Sequence, residues 1–143
     1  MKLAGLAIGI LLVAGSARAA DLKATLRKAE AGDASSQYQL AERYAEADGV
    51  DQGYEEALKW ARQAADQGNA KAQYRMASIL FLGVTGEARQ PEALQLFRKS
   101  AEGLEKLAEE GDADARAKLG ILCARGIGVE KDVERAAKLF AQA

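Results

Sequence analysis

The chain has 143 residues, 49% of them hydrophobic and 29% charged, with a formal net charge of −1. That length suits one domain, and the near-neutral balance gives no case for nucleic-acid binding, which calls for a basic patch or stripe. The sequence contains no His, which removes Ser–His and Cys–His nucleophile pairs and the commonest metal ligand. With one Pro and only 6% aromatic residues, the Ala-rich chain favours helix over sheet.

Residues 1–19 read as a targeting segment rather than as fold. Lys2 is a charged start, Leu3 to Val13 an apolar run, and Ala17-Arg18-Ala19 a small-residue cleavage site, so cleavage is expected before Ala20. The run is shorter than the ~20 residues that cross a bilayer. No stable membrane insertion is therefore expected after cleavage; an uncleaved anchor or a buried helix is the competing reading. A lipoprotein signal needs Cys where Ser16 stands. The expected location is periplasmic or secreted.

Asp21 to Ala31 follows as a helix, with Leu22, Leu26 and Ala29 on one face at helical spacing. It reads as a capping helix over 20–32. The next stretch, Gly32-Asp33-Ala34-Ser35-Ser36-Gln37-Tyr38, returns as Gly68-Asn69-Ala70-Lys71-Ala72-Gln73-Tyr74 and as Gly111-Asp112-Ala113-Asp114-Ala115-Arg116-Ala117. A period in the mid-thirties marks a helical repeat array. The expected units are 33–68, 69–111 with a seven-residue insertion, and 112–143, within one helical domain over 20–143. Asp33, Asn69 and Asp112 share a repeat position and are good N-caps. Each unit predicts two helices: in the first unit, residues 34–45 and 54–67 around a turn at Gly49. In the second unit Pro91 suits a first helical position, and Glu92 to Glu110 reads as one long helix weakened at Gly103. A break there with a short extra helix is the alternative. In the third, Asp132 is placed to cap the last helix.

Large residues (Tyr44, Trp60, Leu80, Phe97, Phe140) are expected to fill between layers. Small ones (Ala41, Ala77, Gly120, Ala64, Ala65, Ala101) are expected to let helices approach. These residues resemble the Sel-one-like repeat, a subclass of tetratricopeptide-like helical repeats. The resemblance rests on Leu40-Ala41…Tyr44, Gly49-Val50, Ala57-Leu58-Lys59-Trp60, Ala64-Ala65-Asp66-Gln67-Gly68, Leu119-Gly120 and Gly126-Ile127-Gly128-Val129. It implies an all-α, right-handed α-solenoid of antiparallel helix pairs acting as an adaptor for a protein partner. Leu80 and Cys123 depart from it where the family has Tyr, as do Ala41 and Ala77 where it has Gly.

No catalytic, cofactor-binding or metal site is predicted, and no cofactor. Cys123, at a core position, reads as a buried thiol, with an intermolecular disulfide as the alternative. Glu109-Glu110 and Asp112…Asp114 read as a solvated helix end and a cap. Gly126-Ile127-Gly128 reads as a repeat turn, lacking the residues of a phosphate loop. The expected partner surface is the concave face, at the recurring polar positions Gln37, Gln73 and Arg116 with Arg43 nearby. A second candidate is the C-terminal helix at Leu139 and Phe140, through which self-association stays open. A cell-envelope hydrolase and a self-assembling structural protein are the alternatives to a scaffold.

Overall fold

The computed structural model describes residues 17–46 and 53–143. The apolar run of the predicted targeting segment and the turn at Gly49 lie outside them. Among the described residues there are seven helices and no strand. α1 is helical over 17–30, and α2 (Ala34–Glu46), α3 (Tyr54–Asp66), α4 (Ala70–Leu82), α5 (Gln90–Glu109), α6 (Ala113–Arg125) and α7 (Val133–Gln142) follow.

The starts of these helices follow from local chemistry. The Asp33 carboxylate accepts from the backbone N–H of Ser36, the Asn69 amide oxygen from Ala72 and the Asp112 carboxylate from Ala115, each at 2.8–2.9 Å. Asp132 does the same for α7 by accepting from Arg135 N–H at 2.9 Å. Each cap satisfies an orphan donor of the first turn, a contribution of about 1 kcal/mol. The ends are set by glycine: Gly68 turns the chain at φ 87°, and Gly32 and Gly111 do so at the equivalent repeat positions. That conformation is costly for residues with a Cβ.

Neighbouring helices form antiparallel pairs, α2 with α3, α4 with α5 and α6 with α7. The first helices of the pairs also touch one another, α2 against α4 and α4 against α6, whereas α3, α5 and α7 make no such contacts. The layer of α2, α4 and α6 is thus drawn together and the outer layer splayed, which makes the α2–α4–α6 side the inner face of an α-solenoid. A single pair buries one face; stacking makes the core continuous. Leu40, Trp60, Met76, Phe97, Leu104, Leu119 and Leu122 fill it, between alanines with no exposed surface such as Ala41, Ala61, Ala64, Ala72 and Ala77. Burying each large side chain stabilises by about 1.5–3 kcal/mol relative to exposure. Tyr44 is only half-buried, and Phe140 is 46% exposed rather than filling a layer.

The long helix α5 is unbroken through Gly103. A Cβ there would sit 2.5 Å from the Ala70 Cβ. The glycine is therefore a point of close approach between α5 and the start of α4. It is not the weak point that helix propensity alone predicts.

Candidate functional site

The inner face has two halves of different character. The first is a charged network across α2, α4 and α6. Lys118, with its side chain 8% exposed, places Nζ 2.5 Å from Asp114 Oδ1 and 4.0 Å from Glu42 Oε2. Lys71 Nζ lies 2.9 Å from Asp112 Oδ2 and 3.7 Å from Asp114 Oδ2. Arg75 pairs with both oxygens of Glu42 and lies 3.5 Å from Glu46. The Tyr38 hydroxyl donates to Asp114 Oδ2 at 2.9 Å. Lys71 and Lys118 stand 5.5 and 5.7 Å from the Tyr38 ring, and Lys118 is 5.6 Å from that of Tyr74, within cation–π range.

Protonation states follow from this packing. Burial pushes the Tyr38 phenol well up, and the carboxylates of Glu42 and Asp114 add to it, so it remains a donor. Burial alone would also raise Asp114, but the Lys118 hydrogen bond and charge, the Tyr38 bond and Lys71 outweigh it and hold that carboxyl below its ordinary range. Asp112 is likewise held down against burial, by the Ala115 N–H and by Lys71. No described, buried side-chain polar atom lacks a partner. Asp112 is thus the expected cap, while Asp114, read with it as part of a cap, is an integral part of this network.

The second half lies toward the C-terminal ends of α4 and α6. Tyr74, Ser78, Phe81, Leu82, Phe97, Ile121, Leu122, Arg125 and Ile127 line a pocket of about 120 Å³. Its floor is aromatic: Tyr74 and Phe81 pack edge-on against Phe97, with centroids 5.5 and 6.2 Å apart. Leu82 at the rim is 69% exposed.

The residues expected on the partner surface are placed differently. Gln37 and Gln73 are buried, 3% and 4% exposed. Gln37 Nε2 donates to the Ala29 carbonyl at 3.0 Å, Gln73 Nε2 to that of Ala65 at 3.5 Å, and Arg116 Nε to that of Ala108 at 3.0 Å. All three acceptors lie eight residues upstream, in the last turn of the preceding helix, where carbonyls lack intrahelical partners. The recurring polar position is therefore an inter-helix clasp. Arg116 also donates to Gln142 O on α7, and Arg43 pairs with Asp21 on α1. At the C-terminal helix, Leu139 is buried at 9% exposure. Phe140 lies over Gly120, whose added Cβ would be 2.8 Å from its ring.

The charged network was missed by reading each helix singly. Its signal was in the repeat register, where Lys71 and Asp114, opposite in charge, occupy one repeat position. Opposite charges at one register in adjacent inner helices announce a bridge.

Cys123 is buried and free, and burial pushes its thiol up, away from the reactive thiolate. Among the described residues no group of three or more Cys, Asp or Glu is arranged to hold a metal ion. Nor is any helix among them long and apolar enough to cross a membrane.

The stacked helix pairs, with their clasped joints and a pocketed inner face, define an α-solenoid repeat protein. The Sel1 repeat pattern matches residues 34–69, 70–103 and 113–143, and the chain belongs to that family. Repeats of this family serve protein–protein interaction. The chain is 40% identical over 82 residues to human protein sel-1 homolog 2, an alignment covering 57% of this chain and 11% of that protein. It is 30% identical over 87 residues to the Sel1-repeat-containing protein YjcO of Escherichia coli K12, covering 61% of this chain and 37% of that one. It thus spans well under half of these relatives. Among solved structures, a Sel1 repeat protein from Oxalobacter formigenes superposes with a TM-score of 0.51 at 29% identity, covering 85% of this chain and 86% of that one. A protective antigen of uropathogenic Escherichia coli with an SLR fold gives 0.52 at 22% identity, over 85% of this chain and 40% of that one; this likeness concerns the fold.

Proposed function

We propose that this chain is a non-catalytic scaffold of the cell envelope that engages a protein partner on the inner face, through the apolar half formed by α4 and α6. The observation that carries the reading is the contrast between the two halves. The charged side chains of the first are paired with one another, which leaves them little to offer a partner. The second presents an open, mostly apolar pocket beside Leu82, at 69% exposure. Placement in the envelope rests on Lys2, the run from Leu3 to Val13 and Ala17-Arg18-Ala19, features of an exported chain.

The test is affinity capture from an extract of the encoding organism, comparing wild type with a Leu82→Asp, Ile121→Asp double variant whose helicity is checked by circular dichroism. Loss of one dominant protein partner in the variant supports the reading. An identical set of captured proteins, or none from wild type, contradicts it. Export is tested by sequencing the N-terminus of the protein recovered from cells: a start at Ala20 supports it, and an intact Met1 contradicts it.

A further inference from the structure

We infer that the α4–α6 pocket takes one bulky apolar side chain of a partner protein segment, and that Arg125 at its mouth pairs with an Asp or Glu carboxylate of the same segment. This rests on the inner-face reading and adds to it the chemistry of the partner. The pocket volume of about 120 Å³ sets the size of the guest. A protein cavity of ~150 Å³ binds benzene, so this smaller one suits a single Leu or Ile side chain. A free fatty acid, the other common ligand joining an apolar body to a carboxylate, overruns it.

The charge assignment comes from the pairing of inner-face cations. Lys71 is held by Asp112, Arg75 by Glu42 and Lys118 by Asp114. Recruiting Lys71 or Arg75 would break a bond between neighbouring helices, and recruiting Lys118 would break its pair along α6. Arg125 lines the pocket and is exposed, and its side chain makes no ion pair or hydrogen bond with a described residue. Besides the Tyr74 phenol, the neutral polar wall group is the Ser78 hydroxyl, which already donates to the Tyr74 carbonyl at 2.9 Å. A guest entering this pocket therefore meets mostly apolar walls and a single uncommitted cation. An apolar anchor in a pocket, flanked by a guanidinium–carboxylate pair, is the pattern of an interface hot spot.

The probe is a phage-displayed library of random dodecapeptides selected on the full chain. The expected winners carry a large apolar residue with Asp or Glu within a few positions. A winning peptide is then labelled and titrated by fluorescence polarisation. Leu82→Asp should abolish its binding. Arg125→Gln should weaken it about tenfold or more, as for a lost charge-assisted hydrogen bond, whereas Arg125→Lys should recover part of the loss. Replacing the peptide's acid by its amide should erase the difference between wild type and Arg125→Gln, which a general loss of fold would not do. Winners without an acid, or equal weakening of acid and amide peptides, overturn the pairing but leave the inner face as the partner surface. Winners indifferent to Leu82→Asp, or no winners, overturn the pocket assignment; the capture experiment then decides separately whether the chain is a scaffold at all.

Discussion

Changing Lys118 to Met keeps most of the aliphatic stem and removes the charge at the centre of the inner-face network. The loss can be bounded from the geometry. An exposed ion pair contributes ~0.2–1 kcal/mol, and breaking a fully buried one costs ~3–5 kcal/mol. Lys118 itself is buried, but Asp114 is 44% exposed and keeps Tyr38 and Lys71, and Glu42 keeps Arg75. The outcome therefore lies nearer the lower bound, at about 1–2 kcal/mol including the ring contacts. For a domain of this size that lowers Tm by roughly 3–12 °C, read by thermal melting followed at 222 nm. Adding Asp114→Asn to Lys118→Met should cost less than the sum of the two single changes, because each removes the same bond. Strict additivity, or a melt unchanged by Lys118→Met, would refute the claim that this network ties α2, α4 and α6 together.

Further predictions follow from the same contacts. Asp114 has its folded pKa depressed from 3.8, so its contribution is present above that unfolded value and is lost as pH falls through the lower folded one. Melting temperatures measured from pH 7 to pH 2 should show wild type and Asp114→Asn converging only below about pH 4; a constant gap would contradict this. Gly103→Ala should destabilise by about 1–3 kcal/mol through overpacking, despite Ala being the better helix former. Pairing it with Ala70→Gly, which removes the Cβ it would strike, should restore most of the loss in a denaturant melt. Gln37→Leu should cost about 0.5–1.5 kcal/mol by removing the Nε2 bond to the Ala29 carbonyl, which keeps the Gly32 N–H, with no selective effect on partner capture. Cys123 should resist iodoacetamide until the chain is unfolded; labelling in the native state, read by mass spectrometry, would contradict its burial.

What the sequence made legible was the chemistry that acts within a few residues. Asp33, Asn69 and Asp112 identify helix starts because a cap needs only an acceptor three residues before an N–H. The alanines and leucines at helical spacing reveal the core faces for the same local reason. Gln37, Gln73 and Arg116 were harder. Recurring polar residues are what a binding surface would show, but also what a repeated backbone need would show. Here the need is a donor for a last-turn carbonyl eight residues upstream. Gly103 misled because propensity reports on the isolated helix, whereas its value lies in the approach of Ala70. The pairing of Lys118 with Asp114 is visible along α6 as a four-residue spacing. Its tie to Tyr38 and Glu42 depends on which helices the repeat brings together, and only the assembled inner layer shows that. The pocket at Leu82 and Ile121 likewise draws on α4, α5 and α6, and none of them announces it alone.

The central claim is that the apolar half of the inner face holds a protein partner. A photo-crosslinking amino acid placed at position 82 in the living source cell tests it most directly, with position 99 on α5, also exposed, as the control. The account predicts one dominant crosslinked protein from position 82 and none from position 99. Crosslinks of the same protein from position 99 alone, or none from position 82, would contradict it.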